Sequence, residues 1–178
     1  MRNDVERILY SKEQIDKRVK ELGAQITEDY RDKNPMFVGI LKGSFVFMAD
    51  LVRNVDTMCD LEFMAVSSYG DGTSTTGAVK IKMDLSHDIE GRDVIIVEDI
   101  LDSGVTLNYL KGYLAMRKPN SIKICTMLDK KERRTANITA DYVGFECPNE
   151  FIVGYGLDYA QKYRNLPEIG ILKREIYE

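Results

Sequence analysis

Three acids and a short polar turn are the residues of this sequence best suited to do chemistry. They stand in VIIVEDILDSGVTL, residues 94–107. An apolar run ends in Glu98 and Asp99, a third acid follows at Asp102, and Ser103, Gly104, Val105 and Thr106 lead into a helical pattern. That turn supplies backbone N–H groups, two hydroxyls and a glycine at a helix start, where the dipole favours an anion such as a phosphate. Three carboxylates beside an anion site need a ligand that also satisfies them. Hydroxyls and a divalent cation do so, since carboxylates accept hydrogen bonds and take Mg2+ directly or through water. A sugar phosphate carrying both satisfies the whole stretch. The plainer alternative is a helix capped by Asp102 or Ser103, with Glu98 and Asp99 merely solvated.

Other chemistries fail on spacing. There is no G-x-x-x-x-G-K-[ST] for a nucleoside triphosphatase and no G-x-G-x-x-G after a strand for a dinucleotide. Asp99 and Asp102 do not form the Asp-x-Asp of aspartyl-phosphate phosphatases. His87 is the one histidine, it sits in a loop-like stretch, and no Gly-x-Ser-x-Gly exists to partner it in a hydrolase. It is expected at the surface. Cys59, Cys125 and Cys147 are odd in number and widely spaced, so they read as reduced packing residues of a cytoplasmic protein.

The elements that must position these residues follow from periodicity. In SKEQIDKRVKELGAQITEDY, Ser11 and Gln14 form a capping box, and Ile15, Val19, Leu22, Ile26 and Tyr30 recur at helical spacing. MFVGIL (36–41) is a short strand apolar on both faces, and KGS turns into a second helix, FVFMADLVRNV. LEFMAVSSY (61–69) reads as a strand running into GDGTSTTG (70–77), whose small polar residues suit either a lid or a plain connection. AVKIKMD alternates as a half-exposed strand, and DVIIVED (93–99) is a buried one. Leu107, Leu110 and Leu114 mark a helix that ends before Pro119. SIKICTML, DYVGFE, FIVGYGLDY and IGIL complete the strands, and DKKERRT forms a charged turn. Buried strands alternating with amphipathic helices predict an α/β fold with a parallel sheet. In such sheets ligands gather at the carboxyl ends of the strands, where the acidic stretch lies.

These segments resemble a known family. VIIVEDILDSGVTL resembles the signature of the type I phosphoribosyltransferases, which bind 5-phosphoribosyl-1-pyrophosphate. LKGSFVFMADL, SSYGDGTSTTG, MLDKKERR and YVGFECPNEFIVGYGLDYAQKYRNLPEIGIL narrow the resemblance to the bacterial hypoxanthine or hypoxanthine-guanine branch, from about residue 5 to the C-terminus. It implies a twisted parallel sheet flanked by helices (core about 36–150), with a small hood subdomain built from the N- and C-terminal segments, in a single domain of residues 1–178. By position, Glu98 and Asp99 would hold the ribose hydroxyls and touch Mg2+ through water. Asp102, Ser103, Gly104, Val105 and Thr106 would cradle the 5′-phosphate. Asp102 would also lie near N7 of the purine as general base or proton relay. The Lys42–Gly43 peptide would meet the pyrophosphate, a contact that in this family often involves a non-proline cis bond. Asp158 would border the purine and bind Mg2+ on the pyrophosphate side, and Arg164 would neutralise the leaving group. Lys130 would donate to the purine 6-oxo group, Phe151 would stack on the base, and the Ile152 backbone would read the 2-position. Ser68 and Tyr69 would begin the lid. From local pattern alone Phe151 reads as a core aromatic and 130–134 as a solvated turn, while Asp158 could equally cap a turn and Arg164 form a surface pair with Glu168.

Composition bounds the rest. At 178 residues, 44% hydrophobic and 30% charged, the chain is one soluble domain with a real core. Its net charge of −4 gives no general attraction to nucleic acid, and no apolar run approaches the ~20 residues that cross a bilayer. The segment after Met1 lacks the apolar core of a secretory signal. The expected partners are phosphoribosyl pyrophosphate and a 6-oxopurine, with Mg2+ as cofactor and a homodimer or homotetramer as the family expectation. Two other readings stay open: a nucleic-acid-binding regulator that kept the sugar-phosphate site as a sensor, and an enzyme acting on xanthine or a pyrimidine.

Overall fold

The computed structural model describes residues 1–68 and 79–178. Its first strand, β1 (Val5–Tyr10), has three exposed and three half-buried residues and was not legible as a strand in the sequence. Helix α1 (Lys12–Asp29) starts as the capping box predicts: Gln14 N–H donates to Ser11 Oγ, and Ser11 N–H donates to Gln14 Oε1. Its apolar positions Ile15, Val19, Leu22 and Ile26 are buried.

The other elements are β2 (Met36–Leu41), α2 (Phe45–Val52), β3 (Asp60–Ser68), β4 (Val79–Met83), β5 (Asp93–Leu101), α3 (Val105–Ala115), β6 (Ser121–Asp129), β7 (Tyr142–Glu146), β8 (Ile152–Val153), β9 (Ile169–Leu172) and α4 (Arg174–Tyr177). Six strands form one sheet in the order β4-β3-β2-β5-β6-β7. All neighbours are parallel except the edge pair β3–β4. The 69–78 connection is shorter than the dozen or so residues that a parallel crossover requires, so β4 returns antiparallel.

Because β2 and β5 are buried on both faces, neighbouring residues of one strand feed two different cores. Phe37, Ile95 and Val97 pack with α1 and α2, whereas Val38, Val94 and Ile96 pack with Leu107, Leu110 and Leu114 of α3. A second, three-stranded antiparallel sheet, β1-β9-β8, joins the N-terminal segment to the C-terminal one. The strand expected over FIVGYGLDY is cut to β8. Gly154, Tyr155 and Gly156 all take positive φ, which no β-strand accommodates.

His87 is exposed and paired with the buried carboxylate of Glu62. Cys125 and Cys147 are buried and free, and burial pushes the Cys147 thiol up to about 11. Among the described residues no helix is long and apolar enough to cross a membrane.

Candidate active site

The sheet reverses its winding between β2 and β5: from β2 the chain proceeds outward through β3, and from β5 outward through β6. Such a switch opens a crevice at the carboxyl strand ends. Lys42 follows β2 there, Glu98 and Asp99 lie near the carboxyl end of β5, and Lys130 follows β6.

Glu98 and Asp99 keep part of their surface open to the crevice but lie deep beneath its rim. Glu98 Oε2 is buried without a hydrogen-bond partner. Loss of water, reinforced by the charge of Asp99, holds the Glu98 carboxyl well above the usual range. Burial also raises Asp99 to about 6, despite the Ile100 N–H that donates to its Oδ1 at 2.7 Å and the nearby Arg164 cation. A cation or donor hydroxyls in the crevice would return both to the ionised form. Gly43, in the turn after β2, presses on Asp99: a Cβ there would lie 1.6 Å from Asp99 Oδ2, so only glycine allows this approach.

Beyond Asp99 the chain turns through Asp102, Ser103 and Gly104 into α3. Gly104 is the N-cap with φ 81°, a left-handed conformation that L side chains resist. The first N–H groups of α3 have no partner inside the helix. A cavity of about 120 Å³ lies over them, lined by Glu98, Ile100, Asp102, Ser103, Gly104 and Thr106 among others. Val105 sits in the first turn, partly exposed.

A larger cleft of about 380 Å³ adjoins it, and its walls include Ile100, Asp102, Lys130, Phe151, Ile152 and Asp158. Lys130 is only 6% exposed, unlike a solvated turn residue, and its Nζ donates to the Glu150 carbonyl at 3.0 Å. Phe151 stands edge-on to Tyr159 and stacks on Tyr177, with ring centroids 5.4 and 4.8 Å away. Asp102 Oδ1 is buried and accepts no hydrogen bond, with Arg133 Nε 3.4 Å away.

On the opposite side Arg164 pairs with Asp158 at 2.7 Å and not with Glu168, whose partner is Arg2. Arg164 Nη1 donates to the Gly156 carbonyl, and its Nε is buried without a partner. Lys42 Nζ donates to Gln161 Oε1 at 3.2 Å. The non-proline cis bond is Leu41–Lys42, one peptide before the Lys42–Gly43 bond that the resemblance pointed to. A separate cavity of about 520 Å³ between α1 and α2 reaches Arg164 from behind but holds none of the acids of the quoted stretch.

Ser68 ends β3; Tyr69 and the lid assigned to the segment after it lie outside the described residues. Sequence reasoning missed Arg133, Arg174 and Tyr177, which line the larger cleft, because no local pattern distinguishes them from surface residues.

A phosphate-sized cradle joined to a cleft with Phe151, Ile152 and Lys130 in its wall, at the switch point of the parallel strands, defines a site for a sugar phosphate with a further group beside it. Residues 7–160 match the family model of the phosphoribosyl transferase domain, and the chain belongs to that family. Its relatives narrow the branch. It is 55% identical to a hypoxanthine-guanine phosphoribosyltransferase of Bacillus subtilis, over all of this chain and 99% of the relative. It is 54% identical to one of Streptococcus pyogenes, over 99% of this chain and 98% of the relative. A crystal structure of a hypoxanthine phosphoribosyltransferase from Staphylococcus aureus superposes with a TM-score of 0.97 at 53% identity, covering 100% of this chain and 97% of that one.

Proposed function

We infer that this chain is a purine-salvage enzyme. It transfers the 5-phosphoribosyl group of phosphoribosyl pyrophosphate to N9 of hypoxanthine, guanine or both, releasing pyrophosphate. One observation carries the reading: Ile100 and Asp102 line both the 120 Å³ cradle and the 380 Å³ cleft. A phosphate in the first and a base in the second therefore belong to one nucleotide.

Glu98 and Asp99 accept hydrogen bonds from the ribose hydroxyls, and Ser103, Gly104, Val105 and Thr106 hold the 5′-phosphate. Lys130 donates to the purine 6-oxo oxygen. Adenine carries a donor at that place and would leave both groups unpaired. Phe151 stacks on the base, and the Ile152 backbone meets its 2-position. Asp102, whose buried Oδ1 faces Arg133 but accepts no hydrogen bond, takes the proton at N7. The Lys42–Gly43 peptide and Arg164 receive the pyrophosphate, which gains negative charge as the sugar gains positive.

The donor set suits Mg2+. No three such side chains converge into a metal cage among the described residues, and Mg2+ characteristically takes one or two carboxylates plus water and substrate oxygens. Asp158 would hold it directly, and Glu98 and Asp99 through water. The buried Glu98 oxygen that lacks a hydrogen-bond partner fits a water-bridged cation. When bound, Mg2+ supplies charge neutralisation of the pyrophosphate.

Residues 1–178 act as one catalytic domain, with core 36–150 and the β1-β9-β8 sheet as hood. The enzyme works in the cytoplasm, whose reducing conditions suit three free cysteines. It assembles as a homodimer or homotetramer. Phe45, Leu61, Phe63 and Met83 are each at least 36% exposed, and the β2–β3 register puts Leu61 and Phe63 on the α2 side of the sheet.

The test is nucleotide formation from hypoxanthine, guanine, xanthine, adenine and uracil with Mg2+ and phosphoribosyl pyrophosphate. Turnover of hypoxanthine or guanine with adenine and uracil inert is the expected result. Tight binding of phosphoribosyl pyrophosphate without turnover of any base would turn the reading into a sensor.

A further inference from the structure

We propose that Arg134 is a positioning residue of this reaction, a largely buried strut that fixes the Asp102 loop against the strand end bearing Lys130. The proposal rests on the roles given above to Asp102 and Lys130.

The segment after Lys130 carries three more cations, and their environments differ. Lys131 pairs with Glu146 at the surface. Arg133 is 57% exposed. Arg134 is 15% exposed, and its guanidinium is taken up by four acceptors, three at the ends of β5 and β6 and one in the loop before β7. Nε donates to the Asp102 carbonyl at 2.9 Å, and Nη2 donates to the Leu101 carbonyl at 3.1 Å and to the Asp129 carboxylate. Nη1 donates to the Ile138 carbonyl at 2.8 Å. Asp129 immediately precedes Lys130, whose own N–H donates to the same Leu101 carbonyl at 3.0 Å. The Ser103 carbonyl in turn accepts from Thr135 and Ala136 N–H at 3.0 and 3.1 Å. A Cβ on Gly104 would lie 2.5 Å from Ile138 Cγ2 and 2.9 Å from Arg134 Cδ. Residues 129–138 thus form the bed on which the phosphate loop lies, and Arg134 ties that bed to the loop.

Only a planar fork with several fixed N–H directions can serve these acceptors together; an ammonium cannot. Loss of the fork frees the Asp102 carbonyl and unlocks the distance between the proton acceptor at N7 and the donor at the 6-oxo group. A displacement of about 1 Å in such a pair costs on the order of a hundredfold in rate.

The experiment compares wild type, Arg134→Lys, Asp102→Asn, their double variant, and Leu22→Ala. The last removes a buried α1 side chain far from the site and serves as a destabilised control. All are assayed well below their melting temperatures in a stabilising osmolyte. Arg134→Lys is expected to lose at least tenfold in kcat, while Leu22→Ala keeps wild-type kcat. Because Arg134 acts through Asp102, the double variant is expected within about twofold of Asp102→Asn alone. If Arg134→Lys does not fold, Arg134→Gln combined with Asp129→Asn replaces it, which removes the carbonyl bonds without leaving a buried charge unpaired. Wild-type kcat and KM in the Arg134 variant, beside an impaired Asp102→Asn, would overturn this proposal alone. Wild-type kinetics in Asp102→Asn would overturn the role of Asp102 and this proposal with it. Full additivity in the double variant would reduce Arg134 to a stability residue and also overturn it.

Discussion

Replacing Asp99 by Asn should make the metal-free protein less sensitive to rising pH. In the folded chain Asp99 has its carboxyl raised to about 6 from an ordinary value of 3.8, chiefly because burial removes its water. The folded state therefore holds this proton more tightly than the unfolded state. Below pH 3.8 both states are protonated and the group contributes no pH dependence. Between 3.8 and about 6 the unfolded chain ionises first, so stability falls as pH rises, and above 6 the loss is complete. Roughly two pKa units at about 1.4 kcal/mol each give a loss of about 3 kcal/mol, an upper value because the carboxyl reaches the water of the crevice. Asparagine keeps an oxygen to accept the Ile100 N–H and cannot ionise. Any fixed cost of its amide is independent of pH. Urea unfolding of both proteins in chelator, across the acid to mildly alkaline range, isolates the effect. The stability of the variant relative to wild type should climb by up to about 3 kcal/mol as pH passes through 4 to 6 and then level off. The raised carboxyl of Glu98 works in the same direction, since removing the Asp99 charge eases it as well. A relative stability that stays flat over the whole range would refute the burial argument for this pair.

The remaining expectations concern the chemistry and the assembly. Asp102→Asn should lower turnover about a hundredfold or more, the usual contribution of a general base, and barely change the KM for phosphoribosyl pyrophosphate. Steady-state kinetics with both substrates decides this, and unchanged turnover removes Asp102 from its role. Lys130→Ala removes a buried charged donor worth about 1.5–3 kcal/mol, so the purine KM should rise roughly tenfold to a hundredfold with the other substrate spared. The reverse pattern would overturn the assignment. Gly43→Ala pushes a methyl to 1.6 Å from Asp99 Oδ2, so turnover should drop at least tenfold while circular dichroism stays native. Wild-type rates would mean that Asp99 moves aside freely. Phe63→Glu places a charge on the exposed apolar edge and should shift light-scattering mass toward the monomer; an unchanged mass puts the interface elsewhere.

Much of the fold was legible because its elements are locally coded. The capping box at Ser11 and the spacing of Ile15 to Tyr30 specify α1 without reference to anything distant. The double-faced apolar runs of β2 and β5 could only be interior strands. β1 escaped notice because none of its residues is fully buried and its hydrogen bonds go to β9, at the far end of the chain. FIVGYGLDY looked like a longer strand than it is, since positive φ at Tyr155 is imposed by its surroundings and carries no residue signal. In the candidate site the acidic stretch could be read from its place before a helix start, whereas Arg134 could not be told apart from Lys131 or Arg133 in a run of charges.

By itself, then, the sequence determined α1 and the interior strands, which strand end carries the acids, and where a phosphate has N–H groups to meet. The tertiary structure alone decided that Glu98 lacks a partner, that Gly43 presses on Asp99 from the turn after another strand, and that Lys130 is buried and Arg134 largely so while Lys131 and Arg133 are exposed. The division has a physical cause. Backbone preference and periodicity act over a few residues and are written in the local string. Burial, charge and proton affinity depend on which distant segments exclude water, and that is fixed only when the strand ends converge.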